Sequence, residues 1–411
     1  MGSSLASQRA TVALLADSSA RTTGIGRYAD TLYTGLRQAG VDVVQVGPRP
    51  PTLPSVSYQA LHLLGRDLRA FLRNYPLWST YPEADVYHFT TQTLASLLLF
   101  SRPKGRVVVT VHDIFPYMLR THPRLRPAHP GDRLYHRLAM VGLTRADHLI
   151  ADSQYTKDCI VEHLGVAADK ITVVYLGVDH ERFRPLAPAK FYHYQLAEGR
   201  RYVLYVGSED PRKNLITLVR AVAKLRQDLP DVELIKVGRS DFNQERQQLI
   251  ALATQLGIRR AIHFLEDVPE DDLPLLYNLA EAYITPSLYE GFGFPVLEAM
   301  ACGTPVVCTN AGSLPELVGS AGVQVGACDV DALAGALFAL LSNTEQRLAL
   351  GRSGQSRAAN FKWTATTHST AAVYRQLMGP MPEVGASSHG ARRLSESISR
   401  AVCGLLMRAS L

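Results

Sequence analysis

The sequence predicts an α/β fold of two doubly wound, Rossmann-like parallel-sheet domains facing across a cleft. Three observations predict it. Short β-branched runs alternate with stretches whose apolar residues recur at helical spacing. The alternation halts once, between Arg184 and Gly199, and then restarts. A chain of 411 residues exceeds one ordinary core and suits two domains of about 190 residues each.

In the first half the strand-like runs are Thr11 to Ala16, Val41 to Val46, Val86 to Phe89, Val107 to Val111, His148 to Asp152 and Ile171 to Tyr175. Helical spacing fills Gly26 to Gln38, Leu61 to Leu72 and Tyr155 to Leu164. Pro185, Pro188 and several aromatics then break the rhythm, so an N-terminal domain over 1–185 is followed by a linker over 186–199. The pattern restarts at Tyr202 to Gly207 and continues with strands near Val232 to Val237, Ala261 to Leu265, Ala282 to Thr285, Pro305 to Cys308 and Gly322 to Val325. That defines a second domain over 200–378. Ligands of such sheets bind beyond the carboxyl ends of the strands, so the chemistry is expected in the cleft. After Leu377 the sequence Gly-Pro-Met-Pro interrupts the pattern. In the tail over 379–411, Leu394, Ile398, Val402 and Leu405 lie among Arg392, Arg393, Arg400 and Arg408, the spacing of a short basic amphipathic helix. Packing against the body, disorder and membrane contact all stay open for it.

An apolar share of 46% and a charged share of 19% are those of a globular protein, with no run of the length a membrane span requires. The first residues lack the apolar core of a signal peptide. Cys159, Cys302, Cys308, Cys328 and Cys403 are scattered, without metal-ligand spacing, as in a reducing compartment. The expected location is cytoplasmic. The net charge of +6 resides wholly in the N-terminal half, where up to residue 190 there are 22 Lys and Arg against 15 Asp and Glu. A basic lobe could draw an anionic acceptor or an anionic membrane surface, and equally reflects solubility. No nucleic-acid recognition motif or concentrated basic tract accompanies it, so nucleic acid is not an expected partner.

Four segments carry candidate chemistry. In Glu290-Gly291-Phe292-Gly293-Phe294-Pro295 the small residues allow a tight turn after a strand, and Pro295 suits the first turn of a helix running to about Met300. Backbone N–H groups at such a helix start, with its dipole, favour an anion such as a diphosphate. Glu298 lies one turn into that helix, so two carboxylates could accept hydroxyl hydrogens from opposite ends of one ligand, each bond worth about 1.5–3 kcal/mol. Spacing alone favours a plainer reading, a helix-start acid and a surface acid. Upstream, Val206-Gly207-Ser208-Glu209-Asp210-Pro211-Arg212-Lys213-Asn214 places two cations at the carboxyl edge of the second sheet. Cations there call for a nearby anion, and a diphosphate leaving group calls for cations. The third segment, Thr22-Thr-Gly24-Ile-Gly26-Arg27-Tyr28, is a weak dinucleotide fingerprint, lacking a third glycine and an acid closing the second strand. In the fourth, Thr110-Val-His-Asp113-Ile-Phe-Pro116, His112 ends a strand, where a lone histidine is more often structural.

Together and in this order, these motifs resemble the retaining glycosyltransferases of family 4, which have the GT-B architecture, over roughly residues 10–378. The family's Glu-x7-Glu signature is Glu290 to Glu298, followed by Ala-Met-Ala-Cys-Gly-Thr-Pro-Val-Val. The resemblance implies that Glu290 contacts the transferred sugar and Glu298 the nucleotide ribose. The backbone of Gly291, Phe292, Gly293 and Phe294 would meet the sugar and phosphates. Gly207, Ser208, Arg212 and Lys213 become the phosphate-binding stretch, with Lys213 and Arg212 neutralising the departing diphosphate; many members carry Arg where this chain has Ser208. Gly24 and Gly26 would line the ligand's approach. His112 would position a sugar hydroxyl and the reacting face.

The implied reaction moves a hexose from a nucleoside diphosphate sugar to a hydroxyl of a sugar, lipid-linked or glycan acceptor, with retention and without a metal or other cofactor. Val-His-Asp-Ile-Phe-Pro, Pro-Arg-Lys-Asn and Leu-Gly-Val-Asp179 look most like members that use GDP-mannose to build surface polysaccharides. A sugar-nucleotide 2-epimerase of the same architecture is an alternative, and so is a non-catalytic sugar-nucleotide-binding protein, for which Ser208 is the support. Asp329-Val-Asp331 matches a metal-binding pattern of the other glycosyltransferase architecture, but it sits where aspartates cap helices. His122, His129 and His136 lack zinc spacing and suit an acceptor-side loop or plain surface. Ser313-Leu-Pro-Glu316, and Phe361-Lys-Trp363 with Tyr374, resemble family landmarks that support fold more than chemistry.

Overall fold

The computed structural model describes residues 11–16, 23–47, 81–118, 130–186, 194, 196–240 and 243–378. Six parallel strands form the first sheet: β1 (Thr11–Leu15), β2 (Asp42–Val46), β3 (Val86–Phe89), β4 (Arg106–Val111), β5 (His148–Ala151) and β6 (Ile171–Val173). They run in the order β2-β1-β3-β4-β5-β6. Six more form the second: β7 (Arg201–Val206), β8 (Val232–Val237), β9 (Ile262–Leu265), β10 (Ala282–Thr285), β11 (Val306–Thr309) and β12 (Val323–Val325), in the order β12-β11-β10-β7-β8-β9. Strands β3, β5, β10 and β11 are buried along their whole length, as parallel strands covered by helices on both faces must be.

The main helices beside the first sheet are α1 (Gly24–Gln38), α2 (Pro130–Leu143) and α3 (Gln154–Leu164). Those of the second are α4 (Leu215–Asp228), α5 (Asn243–Gln255), α6 (Phe294–Cys302), α7 (Val330–Ser342) and α8 (Thr344–Ala358); α9 (Trp363–Leu377) closes the described chain. One core shows why these segments are helical. Leu218, Val222 and Leu225 of α4 and Leu333, Leu337 and Leu340 of α7 recur at helical spacing and pack on Val203, Leu234, Ile284 and Val307 of the sheet. Each such burial is worth about 1.5–3 kcal/mol. The strand order of the second sheet reverses between β7 and β10, its topological switch point, where sheets of this kind bind their ligands. Gly207 to Asn214 leave the end of β7 and Pro286 to Gly293 leave the end of β10.

Contacts divide the chain differently from its linear order. Residues Met1–Ala151, Lys157–Val174 and Thr367–Leu411 contain one unit, and Asp152–Thr156 with Tyr175–Thr366 the other. The first unit thus ends before the expected boundary at 185, and most of α9 belongs to it. The reason is chemical: the Tyr374 hydroxyl hydrogen-bonds His88 Nδ1 of β3 at 2.5 Å. Asp152–Thr156 joins the second unit because the Ser153 hydroxyl donates to the Gly291 carbonyl at 2.8 Å. The expected helix Leu61 to Leu72, most of the 186–199 linker, His122, His129 and the 379–411 tail lie outside the described residues. Among the described residues no helix is long and apolar enough to cross a membrane.

The second core holds a cluster of charges. Lys236 of β8 is 1% exposed and Glu209, three residues beyond β7, is 2% exposed. Glu209 Oε1 accepts from Lys236 Nζ at 2.8 Å and Arg246 Nε at 2.7 Å, and Arg246 Nη1 reaches Glu266 at 2.7 Å. Burial alone raises the Glu209 carboxyl, but hydrogen bonds from Arg246, Lys236 and Ser240 outweigh it and hold the group below its ordinary 4.5. Replacing Glu209 by Gln leaves buried cations without their counter-charge and is expected to destabilise the protein by about 3 kcal/mol in denaturant titrations at neutral pH. Because the folded value is depressed, this contribution is present above pH 4.5 and is lost as pH falls through the folded value, so the wild-type advantage over Glu209→Gln shrinks in acid.

Candidate functional site

The loops that leave β7 and β10 are tied together. The Leu288 N–H donates to the Arg212 carbonyl at 2.7 Å, and Asn214 Nδ2 donates to the Pro286 carbonyl at 3.2 Å. Asp210 starts the short 3-10 turn Pro211–Lys213 by accepting the Arg212 N–H at 2.9 Å, which aims both cations back toward β10. Lys213 Nζ then donates to both oxygens of Glu290, at 2.6 and 2.9 Å. Ser287 Oγ donates to Glu290 Oε1 at 2.7 Å, and Arg212 Nη1 lies 3.7 Å from Oε2. The side chains of Glu290 and Lys213 are only 12% and 15% exposed. Burial raises the Glu290 carboxyl, yet Lys213 and Arg212 more than reverse this and keep it below its ordinary value; burial pulls the Lys213 ammonium down despite the Glu290 charge.

Beyond Glu290 the chain turns through Gly293, whose φ of +107° starts α6, with Pro295 in the first turn. Among the described residues the N–H groups of Gly291, Phe292 and Gly293 donate to no protein acceptor, so the helix start offers donors to an anion. The side chains of Phe292 and Phe294 point elsewhere: Phe292 lies edge-on to Phe361, and Phe294 stacks on Trp363 at 6.1 Å. Their contribution to a ligand is therefore backbone. The turn is held from behind by Gly312 and Ser313. Gly312 packs so closely that a Cβ there would lie 2.4 Å from the Glu290 carbonyl oxygen, and its φ is +63°. Ser313 donates through its N–H to that carbonyl at 3.0 Å and through its hydroxyl to the Phe292 carbonyl at 2.8 Å. Ser313 opens the Ser313 to Glu316 stretch already read as a family landmark, whereas for Gly312 the one signal was its position at the carboxyl end of β11. For Ser153 there was none.

Glu298, in α6, is 2% exposed and accepts the Tyr277 hydroxyl at 2.9 Å. It is a buried acid, not a surface one. The Gly207 N–H continues the sheet ladder by donating to the Val237 carbonyl at 2.9 Å. Ser208 presents its carbonyl to the Tyr205 hydroxyl at 3.0 Å. Gly24 and Gly26 lie in the first turn of α1, where the Thr23 side chain caps the helix by accepting the Gly26 N–H at 3.1 Å. In the same unit, the His112 N–H donates to Gln92 Oε1 at 3.1 Å and its Nε2 donates to the Thr90 carbonyl at 2.9 Å. A carbonyl can only accept, so Nε2 carries a hydrogen. The structure thus brings Lys213, Arg212, Glu290 and the Gly291 to Phe294 turn together, buries Glu298 beside Tyr277, and places His112, Gly24 and Gly26 in the other unit. Asp329 caps α7 through the Ala332 N–H and Asp331 pairs with Lys224, as a capping aspartate and a surface acid do.

Gly312→Ala is expected to cost about 2 kcal/mol or more from positive φ plus backbone overlap, and to lower turnover by displacing Glu290. Denaturant titration and kcat measured together check it, and unchanged values of both would show that the close approach is dispensable.

Residues 188–357 match the family of glycosyl transferases group 1, and residues 22–182 match glycosyltransferase family 4. The O-antigen chain mannosyltransferase B of Escherichia coli is 34% identical over 280 residues, spanning 66% of this chain and 71% of that protein. The MMP alpha-(1->4)-mannosyltransferase of Mycolicibacterium hassiacum is 36% identical over 237 residues, spanning 56% of this chain and 54% of that protein. Among solved structures, a sucrose-phosphate synthase from Thermosynechococcus elongatus shares the two-domain GT-B fold at a TM-score of 0.72 and 24% identity, over 90% of this chain and 99% of that one. The chain therefore belongs to the glycosyl transferases of group 1 and family 4, and is a hexosyltransferase.

Proposed function

We propose that the enzyme transfers mannose from GDP-mannose to an acceptor hydroxyl with retention of the α configuration, in polysaccharide or glycolipid assembly. The observation that carries the site assignment is the buried Glu290 pair with Lys213, beside Arg212 and the open N–H groups of Gly291 to Gly293. An ammonium has three donors and Glu290 takes two, so Lys213 keeps one for a phosphate oxygen. With Arg212 and the α6 start it would stabilise the departing diphosphate, the charge that grows in the transition state. Glu290 is read as the acceptor of a sugar hydroxyl, Glu298 of a ribose hydroxyl, and His112 as the group that orients the donor sugar. Mannose is favoured because two similar proteins are named mannosyltransferases, and GDP because the Val-His-Asp-Ile-Phe-Pro, Pro-Arg-Lys-Asn and Leu-Gly-Val-Asp179 segments resemble members that use GDP-mannose. The acceptor is read as a sugar, lipid-linked or glycan hydroxyl, and the basic first half as the source of peripheral attraction to an anionic surface.

The test is a donor panel of GDP-mannose, UDP-glucose, UDP-N-acetylglucosamine and ADP-glucose, scored by thermal shift in EDTA, followed by turnover with methanol as surrogate acceptor. GDP-mannose should give the largest shift and methyl α-mannoside the product; a β product would overturn retention, and dependence on added Mn2+ or Mg2+ would overturn the cation-based mechanism. Donor alone should yield no epimer. Lys213→Ala and Glu290→Ala should each lower kcat by about a hundredfold or more. Unchanged donor binding and turnover in both variants would sink the site assignment.

A further inference from the structure

The first unit holds a buried chain of polar side chains that ends against His112. The Tyr374 hydroxyl meets His88 Nδ1 at 2.5 Å, His88 Nε2 meets the Thr110 hydroxyl at 2.7 Å, and that hydroxyl meets the Tyr28 hydroxyl at 2.8 Å. The ring of Tyr28 stands edge-on to the imidazole of His112, with centroids 5.0 Å apart and planes at 83°. His88 and Thr110 are 0% exposed, and Tyr28 and Tyr374 are 1% exposed. Four buried polar side chains on α9, β3, β4 and α1 would each cost free energy if left unpaired; linked in series, they satisfy one another.

We propose that Tyr28, Thr110 and His88 are positioning residues for His112, fixing the imidazole's attitude toward the donor sugar. Burial, with a smaller contribution from the charge of His112, pushes His88 down to about 3, so it stays neutral with one N–H and one acceptor nitrogen. A neutral ring between two hydroxyls passes a single hydrogen-bond direction along the chain, whichever way it runs. The far end then holds the Tyr28 phenol, and through it one flank of His112. Two further bonds set the remaining freedom of His112: its N–H to Gln92 and its Nε2 hydrogen to Thr90. Thr110 is the hinge of the chain, since its one hydroxyl serves both His88 and Tyr28. Thr110→Val keeps the side-chain shape and removes both bonds. Tyr28→Phe keeps the ring beside His112 and removes only the last bond.

The inference rests on the reading of His112 as a donor-sugar contact, and a double-mutant cycle separates the two. Turnover of GDP-mannose with methanol is measured for the wild type, Thr110→Val, His112→Ala and the double variant, with thermal midpoints alongside. Thr110→Val should lower kcat about tenfold in the wild type and less than about twofold once His112 is gone, and Tyr28→Phe should follow it with a smaller loss. A purely structural role would reduce the folded fraction by the same factor in both backgrounds. Equal losses in both backgrounds, or no loss from either Thr110→Val or Tyr28→Phe, would overturn the positioning role while leaving His112 in the site. Full turnover in His112→Ala would instead overturn the reading of His112 itself, and the positioning role with it.

Discussion

The structure of the second unit turns on one ion pair, that of Lys213 with Glu290. Two unit charges withdrawn this far from water are stable only when their geometry is good and their other hydrogen-bonding capacity is met. Both conditions are visible. Ser287 supplies Glu290 with a hydroxyl donor and Arg212 with a further positive charge, and Asp210, Asn214 and Leu288 lock the two loops from which the charges project. The switch point of the sheet makes this possible, since there the ends of β7 and β10 lie side by side.

The same unit contains a second ionic cluster, and the contrast is instructive. Glu209 and Lys236 have side chains 0% and 2% exposed, and Lys236 Nζ donates to Glu209 Oε1 and to the Gly238 carbonyl. Glu290 and Lys213 retain a seventh to an eighth of their surface beside a helix start with open amide donors. Glu209 lies past the end of β7 and Lys236 within β8, whereas Lys213 and Glu290 both lie past strand ends. Residual exposure, rather than charge, separates the two clusters.

Strand and helix alternation was legible because parallel strands covered on both faces read as short runs rich in β-branched and aromatic residues, which is why Val86–Phe89, Val232–Val237 and Ala282–Thr285 fall where the sequence places them. The motif residues Lys213, Arg212 and Glu290 were legible as chemistry. Their direct pairing across 77 positions was not, because spacing carries no information about which loops meet. Lys236 looked like an ordinary member of a strand until its burial was known. The division into units was misread for a similar reason: the partner that draws α9 into the first unit, His88, lies 286 positions from Tyr374. The cap that Thr23 provides at the start of α1, beside Gly24 and Gly26, was not singled out, although a threonine just before a helix permits one.

The ion pair also bears on how the proposed donor would be selected. The Glu290 carboxylate accepts two bonds from Lys213 and one from Ser287, so a free sugar offers it little that it lacks. A diphosphate changes the balance, since it competes for Lys213 and Arg212 with more negative charge and with donors waiting at the α6 start. As Lys213 turns toward phosphate, the carboxylate is left ionised, buried and short of partners, a state that a sugar hydroxyl relieves. Recognition of the phosphate end and of the sugar end would then be coupled through one side chain. The hexose would be gripped only when it arrives attached to its leaving group.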